Sequence, residues 1–152
     1  MTDIEISNDK ARLDVDRIHA YLSDESYWGR GRPRESTELG ISTCLCFGAY
    51  DTADGRQLGF ARVLSDGVVM AWVADVFSFP DARGRGVGKA LMRAIADHPD
   101  LQKVKRMGLI TADAHGLYES VGFHAPARPA MWMERNCAPE HEAWSGRWAY
   151  DD

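Results

Sequence analysis

The sequence predicts a mixed αβ domain in which meandering antiparallel strands precede one strand–helix–strand crossover. The centre of the chain holds strand-like apolar runs separated by turn residues. The longest run, residues 68–79, is apolar at ten of its twelve positions. A helical pattern follows it, with Val87, Leu91 and Ile95 four residues apart. The length of 152 residues is typical of one domain.

The composition is that of a water-soluble globular protein, with 45% hydrophobic and 27% charged residues. A net charge of −5 argues against broad nucleic-acid binding, which requires a basic face. The N-terminus lacks the apolar segment of a signal peptide, and the longest unbroken apolar stretch, residues 68–74, is too short to span a bilayer. We therefore expect a cytoplasmic location.

Three cysteines and five histidines indicate neither a disulfide framework nor a metal site. Cys44 and Cys46 are two apart in a strand-like run and should share one face. Buried free thiols are expected for them and for Cys137.

Two helices are predicted in the first third of the chain, after a short strand at residues 4–7. The first helix is indicated by apolar residues at helical spacing: Leu13, Val15, Ile18 and Leu22. Two glycines and a proline in residues 27–35 interrupt the pattern. Pro33 then suits the first position of a helix that runs to about Ser42.

Three strands are predicted next, at residues 43–51, 56–65 and 68–79, with turns at 52–55 and at Asp66-Gly67. The third run is so apolar that it is typical of a central strand covered on both faces.

The remainder of the chain alternates helix and strand patterns. A helix from Gly86 to Asp97 is followed by a strand at 103–111 and a short helix at 113–123. A last strand is predicted at 130–135, before a tail at 136–152 that is rich in aromatic residues.

The stretch PDARGRGVGKALM, residues 80–92, places three glycines and three cations at the start of a helix. A helix start offers unpaired N–H groups and a partial positive charge, which together attract an anion. Glycines let the main chain approach that anion closely: they are Gly84, Gly86 and Gly88. A phosphate or diphosphate is the predicted ligand. The alternative is a glycine-rich turn with solvated cations.

Two common phosphate motifs fail on this stretch. A Walker P-loop would need a glycine at Arg83 and a hydroxyl at Ala90. A dinucleotide GxGxxG motif would need a glycine at Val87 or Lys89. The pattern [QR]-x-x-G-x-[GA] remains, and the sequence matches it in full from Arg83 to Gly88.

With this loop, the Phe79-Pro80 pair before it and HGLYESVGF at 115–123, the sequence resembles the GNAT superfamily of acetyl-CoA-dependent N-acetyltransferases. The resemblance implies one domain over residues 1–152, built on a mostly antiparallel sheet of about six to seven strands with helices on both faces. Residues 136–152 would be a tail that docks on the body or on a partner. The segments SYWGRGRPRE and ADVFSFP resemble a bacterial subgroup of small members, which indicates no particular acceptor.

The resemblance implies that the strand before the loop parts from its neighbour and admits the pantetheine arm of coenzyme A. Its main chain would bond that arm through Val76, Phe77 and Ser78. The loop would wrap the diphosphate with the consecutive residues Arg83, Gly84, Arg85, Gly86, Val87, Gly88 and Lys89. Thr111 stands where many relatives carry a pantetheine-binding Asn. The alternative for residues 76–78 is an ordinary buried strand.

The implied reaction is direct attack of an amine on the thioester of acetyl-CoA. Only the neutral amine attacks, and at pH 7 deprotonation costs about 4.6 kcal/mol for an amine of pKa ~10.4 and about 1.4 kcal/mol for one near ~8. A base or a desolvating pocket must lower this cost. Asp75, the one carboxylate in the apolar strand, is the candidate that binds the amine or relays its proton. A structural Asp bonded to main chain or arginine is the alternative.

Tyr118 is the candidate that hydrogen-bonds the departing thiolate, with a core tyrosine as the alternative. Four residues between the first two helices would wall the acceptor site: Tyr27, Trp28, Arg30 and Arg32. Aromatic rings with arginines would suit an acceptor that carries a carboxylate or an aromatic group.

Two rival functions stay open. RGRP at residues 30–33 is the core of an AT-hook that enters A·T-rich minor grooves, although acidic residues surround it. A GNAT-fold protein could also bind acyl-CoA without transferring the acyl group. Many relatives form dimers, and Trp144 and Trp148 in the tail would suit such a contact.

Overall fold

A computed structural model describes residues 3–135, which form one five-stranded sheet in the order β1-β2-β3-β4-β5. The strands are β1 (Ile4–Ser7), β2 (Leu45–Asp51), β3 (Gln57–Ser65), β4 (Met70–Ser78) and β5 (Arg106–Gly108). Neighbours from β1 to β4 run antiparallel, and β5 runs parallel to β4. The predicted mixed αβ class with a mostly antiparallel sheet is confirmed, with five strands in the described residues rather than six to seven.

Within residues 3–135, four α-helices accompany the sheet: α1 (Val15–Ala20), α2 (Arg34–Thr43), α3 (Val87–Asp97) and α4 (His115–Glu119). The carboxylate of Asp14 caps α1 by accepting a hydrogen bond from the Arg17 amide at 3.1 Å. A π-helical turn, Tyr21–Glu25, extends α1. Pro33 lies one residue before α2, within a residue of its predicted place.

The two faces of the sheet carry separate hydrophobic clusters, so helices cover both faces as predicted. On one face α3 inserts Val87, Leu91 and Ile95 against β2, β3 and β4. On the other face α1 and α2 pack Ile18 and Ile41 against a group of strand residues and the residue after β4: Cys46, Phe60, Phe77 and Phe79. Burial of these apolar surfaces supplies most of the favourable free energy of folding.

A β-bulge interrupts the pairing of β3 with β4. Phe60 pairs with Phe77 and Arg62 pairs with Ala74, so β4 contains one more residue than β3 between the two pairs. Asp75 sits there with φ of 53°, the left-handed value that Asp tolerates better than most residues. The extra residue changes which face the later side chains of β4 occupy.

β4 is covered less fully than its sequence predicts. Its residues alternate between buried and half-buried along the whole strand, whereas a strand covered on both faces would be buried throughout. β5 pairs only with Met70–Trp72. Within the described residues, the rest of β4 has no strand on that side.

Two later elements differ from the prediction. The strand expected at 103–111 is limited to β5, and the strand expected at 130–135 is absent from the described residues. Pro129 begins a 3₁₀ turn there instead, and Met133 is 95% exposed. The short apolar run misleads here because no described strand edge pairs with it. Cys137 and the tail at 136–152 lie outside the described residues, whereas Cys44 and Cys46 are buried free thiols as expected.

No helix between residues 3 and 135 has the length and apolar character needed to cross a membrane.

Gly59 offers a test of how tightly β3 packs on β4 and α3. A Cβ at this position would lie 2.6 Å from the Phe77 carbonyl oxygen and 2.6 Å from Val87 Cγ1. We expect Gly59→Ala to lower the free energy of unfolding by about 2 kcal/mol, because main chain and a buried side chain must both shift. Urea denaturation measures the change. Gly116→Ala, where a Cβ meets nothing within 4 Å, is the matched control and should change stability by less than about 1 kcal/mol. Equal losses would contradict the packing argument.

Candidate functional site

The start of α3 is shaped by two glycines in the left-handed conformation. Gly84 has φ of 83° and Gly86 has φ of 81°, and Gly86 is the residue that directly precedes the helix. Any other residue would be strained at these angles. The glycines therefore turn the main chain sharply from β4 into α3, with their amides at the exposed start of the helix.

The main-chain amides of residues 84–89 donate no hydrogen bond to any described residue. The first helical bond runs from the Ala90 amide to the Gly86 carbonyl at 3.0 Å. Gly84 and Gly86 are also exposed. A run of consecutive open amides at a helix start is the arrangement that binds phosphate oxygens.

The three cations of the loop differ in what they contact. Arg83 is exposed and lines a cavity beside β4, and Lys89 is exposed on α3. Arg85 donates to the carboxylates of Asp51 at 3.0 Å and Asp3 at 2.7 Å, and these bonds raise the pKa of its guanidinium. Its side chain is thus directed toward β1 and β2, and only its main chain is open to a ligand.

A cavity of about 370 Å³ lies between β4, the segment after α1 and the start of α4. Its lining residues come from three separate parts of the chain: Tyr21, Glu25, Ser26, Tyr27, Trp28, Val76, Phe77, Ser78, Arg83 and Asp113. The structure thus brings together six of the predicted site residues, those at positions 27, 28, 76, 77, 78 and 83.

The last part of β4 presents main-chain groups toward this side. The Phe79 amide donates to the Leu58 carbonyl of β3 at 2.9 Å. Hydrogen-bonded and non-bonded pairs alternate in an antiparallel ladder, so Phe77 also faces β3 while the N–H and C=O groups of Val76 and Ser78 point away from it. Because β5 has ended, no described strand takes up those groups.

Asp75 is held at the bulge by four hydrogen bonds from three side chains. Arg32 donates to both carboxylate oxygens at 2.7 and 3.1 Å, Arg62 donates at 2.6 Å, and the Trp28 indole N–H donates at 2.8 Å. The carboxylate is 3% exposed. This cluster, which we call the Asp75 clamp, joins the segment after α1 to the bulge of β4.

The charge of Asp75 is stabilised within the clamp. Burial alone would raise the pKa of this carboxyl, but the bonds and charges of Arg32 and Arg62 outweigh it and hold the pKa below its usual value. Burial would likewise lower the pKa of Arg62, yet Asp75 keeps it raised. These contacts match the structural alternative foreseen for Asp75, and its predicted catalytic role stays a prediction.

The two arginines predicted to face the acceptor are absent from the described lining of this cavity. Arg32 is buried on Asp75, and Arg30 is exposed and absent from the cavity lining. The burial of Arg32 also removes one of the two arginines that an AT-hook at residues 30–33 would insert into a minor groove. The RGRP segment instead completes the clamp.

Tyr118 lies half-buried on α4, with its ring centroid 6.0 Å from that of Phe123. Burial first, and then the nearby Tyr27 and Asp113, raise the pKa of its phenol to about 12. The hydroxyl of Thr111 accepts a hydrogen bond from the Ala114 amide at 3.1 Å, in the turn just before α4. The proposed contacts of both residues with the coenzyme stay predictions.

Sequence reasoning missed three polar residues that line the cavity, Glu25, Ser26 and Asp113, and also Arg62, which bonds Asp75 in the clamp. Ser26 is buried, donates to the Leu22 carbonyl at 2.7 Å and accepts from the Gly29 amide at 3.0 Å. Arg62 could have been suspected, since it is a charged residue in an otherwise apolar strand. The others are polar residues of turns, which carry no distinctive pattern.

No group of three or more metal-ligating side chains comes together within residues 3–135.

Comparisons with known proteins agree with this geometry. A family model described as an acetyltransferase (GNAT) domain matches residues 42–125. A candidate acetyltransferase of the GNAT family from Xanthomonas campestris pv. campestris is 45% identical, covers 89% of this chain and 94% of its own, and has a TM-score of 0.84.

Two more distant proteins extend the comparison. A candidate acetyltransferase from Gibberella zeae is 28% identical, with 74% of each chain covered. The structure of a candidate acetyltransferase from Deinococcus radiodurans is 22% identical, covers 89% of this chain and 94% of its own, and shares the fold with a TM-score of 0.66. The family model, which matches more than half of the chain, and the Xanthomonas structure together show that this protein belongs to the GNAT family of acetyltransferases.

Proposed function

We propose that the protein transfers the acetyl group of acetyl-CoA to a primary amine. The observation that carries the proposal is the row of open amides at residues 84–89, next to a strand whose Val76 and Ser78 main-chain groups face the cavity. The amides would hold the diphosphate, and the strand would pair with the pantetheine arm. The thioester would then lie in the cavity, open to an acceptor.

In the proposed reaction the amine nitrogen bonds to the thioester carbon and the carbonyl oxygen becomes an oxyanion; the carbon–sulfur bond then breaks as the carbonyl re-forms. The electron pair of that bond goes to sulfur, and the thiolate takes up a proton as the amide nitrogen loses one. Open N–H groups beside the carbonyl would stabilise the oxyanion formed on attack. The rival of an acyl-CoA binder without transfer differs only in the absence of this step, and release of free coenzyme thiol separates the two.

We assign Asp75 a positioning role in this reaction. A carboxylate with four donors, a lowered pKa and 3% exposure is a poor proton acceptor. The Asp75 clamp instead connects Trp28 on one wall of the cavity to Val76 on the other. Its contribution is to hold the two walls at a constant separation.

Tyr118 is assigned to the leaving thiolate as a hydrogen-bond donor. A phenol with a pKa of about 12 gives up its proton to a thiolate of pKa near ~8.5 only at a cost of roughly 5 kcal/mol. Donation without transfer is the chemistry that remains. A cytoplasmic location and a homodimer, with the tail as a possible contact, stay predictions, since the tail lies outside the described residues.

Arg83 and Arg85 form a matched pair for testing the loop. We expect Arg83→Gln to raise the Kd of coenzyme A about tenfold, because it removes a charge from the rim of the cavity. Arg85→Gln should raise the Kd less than about threefold, because its guanidinium is bonded to Asp3 and Asp51. Isothermal titration calorimetry at constant salt measures both. Equal losses in the two variants would show that the loop binds coenzyme A in another way.

Asp75→Asn distinguishes a positioning residue from a base. The substitution leaves two guanidinium groups without their carboxylate, so we expect a loss of about 3 kcal/mol or more in the free energy of unfolding. Because the folded pKa of Asp75 is lowered, its stabilisation is complete above about pH 4 and is lost only below that pH. The variant should therefore show a weaker loss of stability in acid than the wild type.

Two kinetic quantities distinguish the two roles of Asp75: the KM of the acceptor and the pH profile of kcat. A positioning role predicts a higher acceptor KM and an unchanged profile, and the milder Trp28→Phe, which removes one bond of the clamp, should raise the same KM by about fivefold. Loss of the acidic limb of the kcat profile in Asp75→Asn would return Asp75 to the role of base.

Tyr118→Phe tests the assigned donor. Removal of one hydrogen bond to a developing thiolate should lower kcat by roughly 10- to 100-fold and leave the Kd of acetyl-CoA unchanged. The wild-type enzyme should show no loss of kcat from ionisation of Tyr118 below about pH 11, since burial keeps the phenol neutral. Wild-type kcat in the variant, measured by thiol release, would exclude the role.

A further inference from the structure

We propose that the acceptor carries a second positive charge in addition to its reacting amine, on an aromatic or aliphatic body that lies against Tyr27 and Trp28. The inference rests on the proposed acetyl transfer and names the class of its substrate. It replaces the expectation from the sequence that arginines at 30 and 32 select an acceptor with a carboxylate.

The acceptor side of the cavity is acidic. Glu25 ends the π-helical turn after α1, and Asp113 lies just before α4. Both side chains are exposed and line the cavity. Neither carboxylate forms an ion pair or a hydrogen bond with another residue of the described chain.

The two segments that bear these carboxylates meet at one point. The hydroxyl oxygen of Tyr27 accepts a hydrogen bond from the Ala112 amide at 3.1 Å. This bond joins opposite walls of the cavity. Glu25 is two residues from Tyr27 in the sequence, and Asp113 is the residue after Ala112. Because Glu25 and Asp113 both line this cavity, a ligand inside it is attracted by both negative charges.

Aromatic rings lie next to the acidic groups. The Tyr27 and Trp28 rings are arranged edge to face with centroids 4.9 Å apart, and Tyr27 is 39% exposed. Such rings favour a cation as well as an apolar body.

Among the described residues that line the cavity, Arg83 alone carries a positive charge, and it belongs to the loop proposed to bind the diphosphate. Arg32 is engaged by Asp75, and Arg30 is not part of the lining. The cavity is thus positive toward the coenzyme and negative toward the acceptor. This polarity attracts a cationic acceptor and repels an anionic one. The charge of Asp113 also acts on α4, where it contributes to the raised pKa of Tyr118.

Three para-substituted benzylamines test the charge preference with one shared body. The probes are 4-(aminomethyl)benzylamine, 4-methylbenzylamine and 4-(aminomethyl)benzoate, whose second groups are positive, neutral and negative. Their binding to the protein saturated with coenzyme A is measured by calorimetry, and their turnover with acetyl-CoA by thiol release. The value for the diamine is halved because it has two equivalent amines.

We expect affinity and kcat/KM to fall in the order cation, neutral, anion, with at least about a tenfold difference between the first and the last. The ratio should shrink as salt is raised, because exposed charges are screened. Equal or reversed affinities, or no binding of the diamine, would overturn the inference. Thiol release would then still decide on acetyl transfer by itself.

Charge-neutral variants locate the effect. Glu25→Gln and Asp113→Asn should each lower the cation-to-anion ratio about threefold. The control is Asp97→Asn at the far end of α3, about 15 Å along the helix from the loop, which should leave the ratio unchanged. A ratio that falls equally in all three variants would point to the net charge of the protein, and the acidic wall would be refuted as its cause.

Discussion

The β-bulge at Asp75 and the ion pairs that hold it are the constraint on which the site depends. A non-glycine residue in the left-handed conformation costs roughly 1 kcal/mol, and a buried carboxylate costs far more unless cations and donors surround it. Arg32, Arg62 and Trp28 provide those partners. The bulge exists because the clamp stabilises it.

The consequences of the bulge extend along β4. Before it, Val73 faces the core under α3, and after it Phe77 faces the opposite cluster with α1. The same irregularity lies where β5 has already ended, so that Val76 and Ser78 retain main-chain groups on the side of the gap. A longer β5 would have continued the sheet along this edge and taken up those main-chain groups.

The glycine loop is subject to the same requirement that polar groups be hydrogen-bonded. Buried main-chain amides are nearly always paired in folded proteins, and exposed ones are satisfied by water or by a ligand. The amides of residues 84–89 donate to no described residue, and Gly84, Gly86 and Lys89 are exposed, so water can be replaced there by phosphate oxygens. Gly84 and Gly86 make this possible because the left-handed turns would strain any residue with a Cβ.

Local patterns were sufficient to predict most of the secondary structure. The period of Val87, Leu91 and Ile95 gave α3, and the glycines before it identified the anion loop. Long-range pairing was beyond such patterns. That Arg32 would be buried on Asp75, 43 residues away, follows from the bulge and from the turn after α1, and neither leaves a local signature. The strand expected at 130–135 failed for a related reason, because a strand requires a partner that its own sequence does not specify.

The turn after α1 is the counterpart of the bulge in β4. The Ser26 amide donates to the Tyr21 carbonyl at 2.9 Å, five residues back, so the last hydrogen bond of the helix spans one residue more than an α-helical bond does. This widening, together with the buried hydroxyl of Ser26, directs Glu25 and Trp28 toward β4. The π-helical turn after α1 and the β-bulge of β4 thus face each other, and the Asp75 clamp joins them. Regular elements would pack closely here, so the cavity exists because both departures from regular geometry are stabilised at the same place.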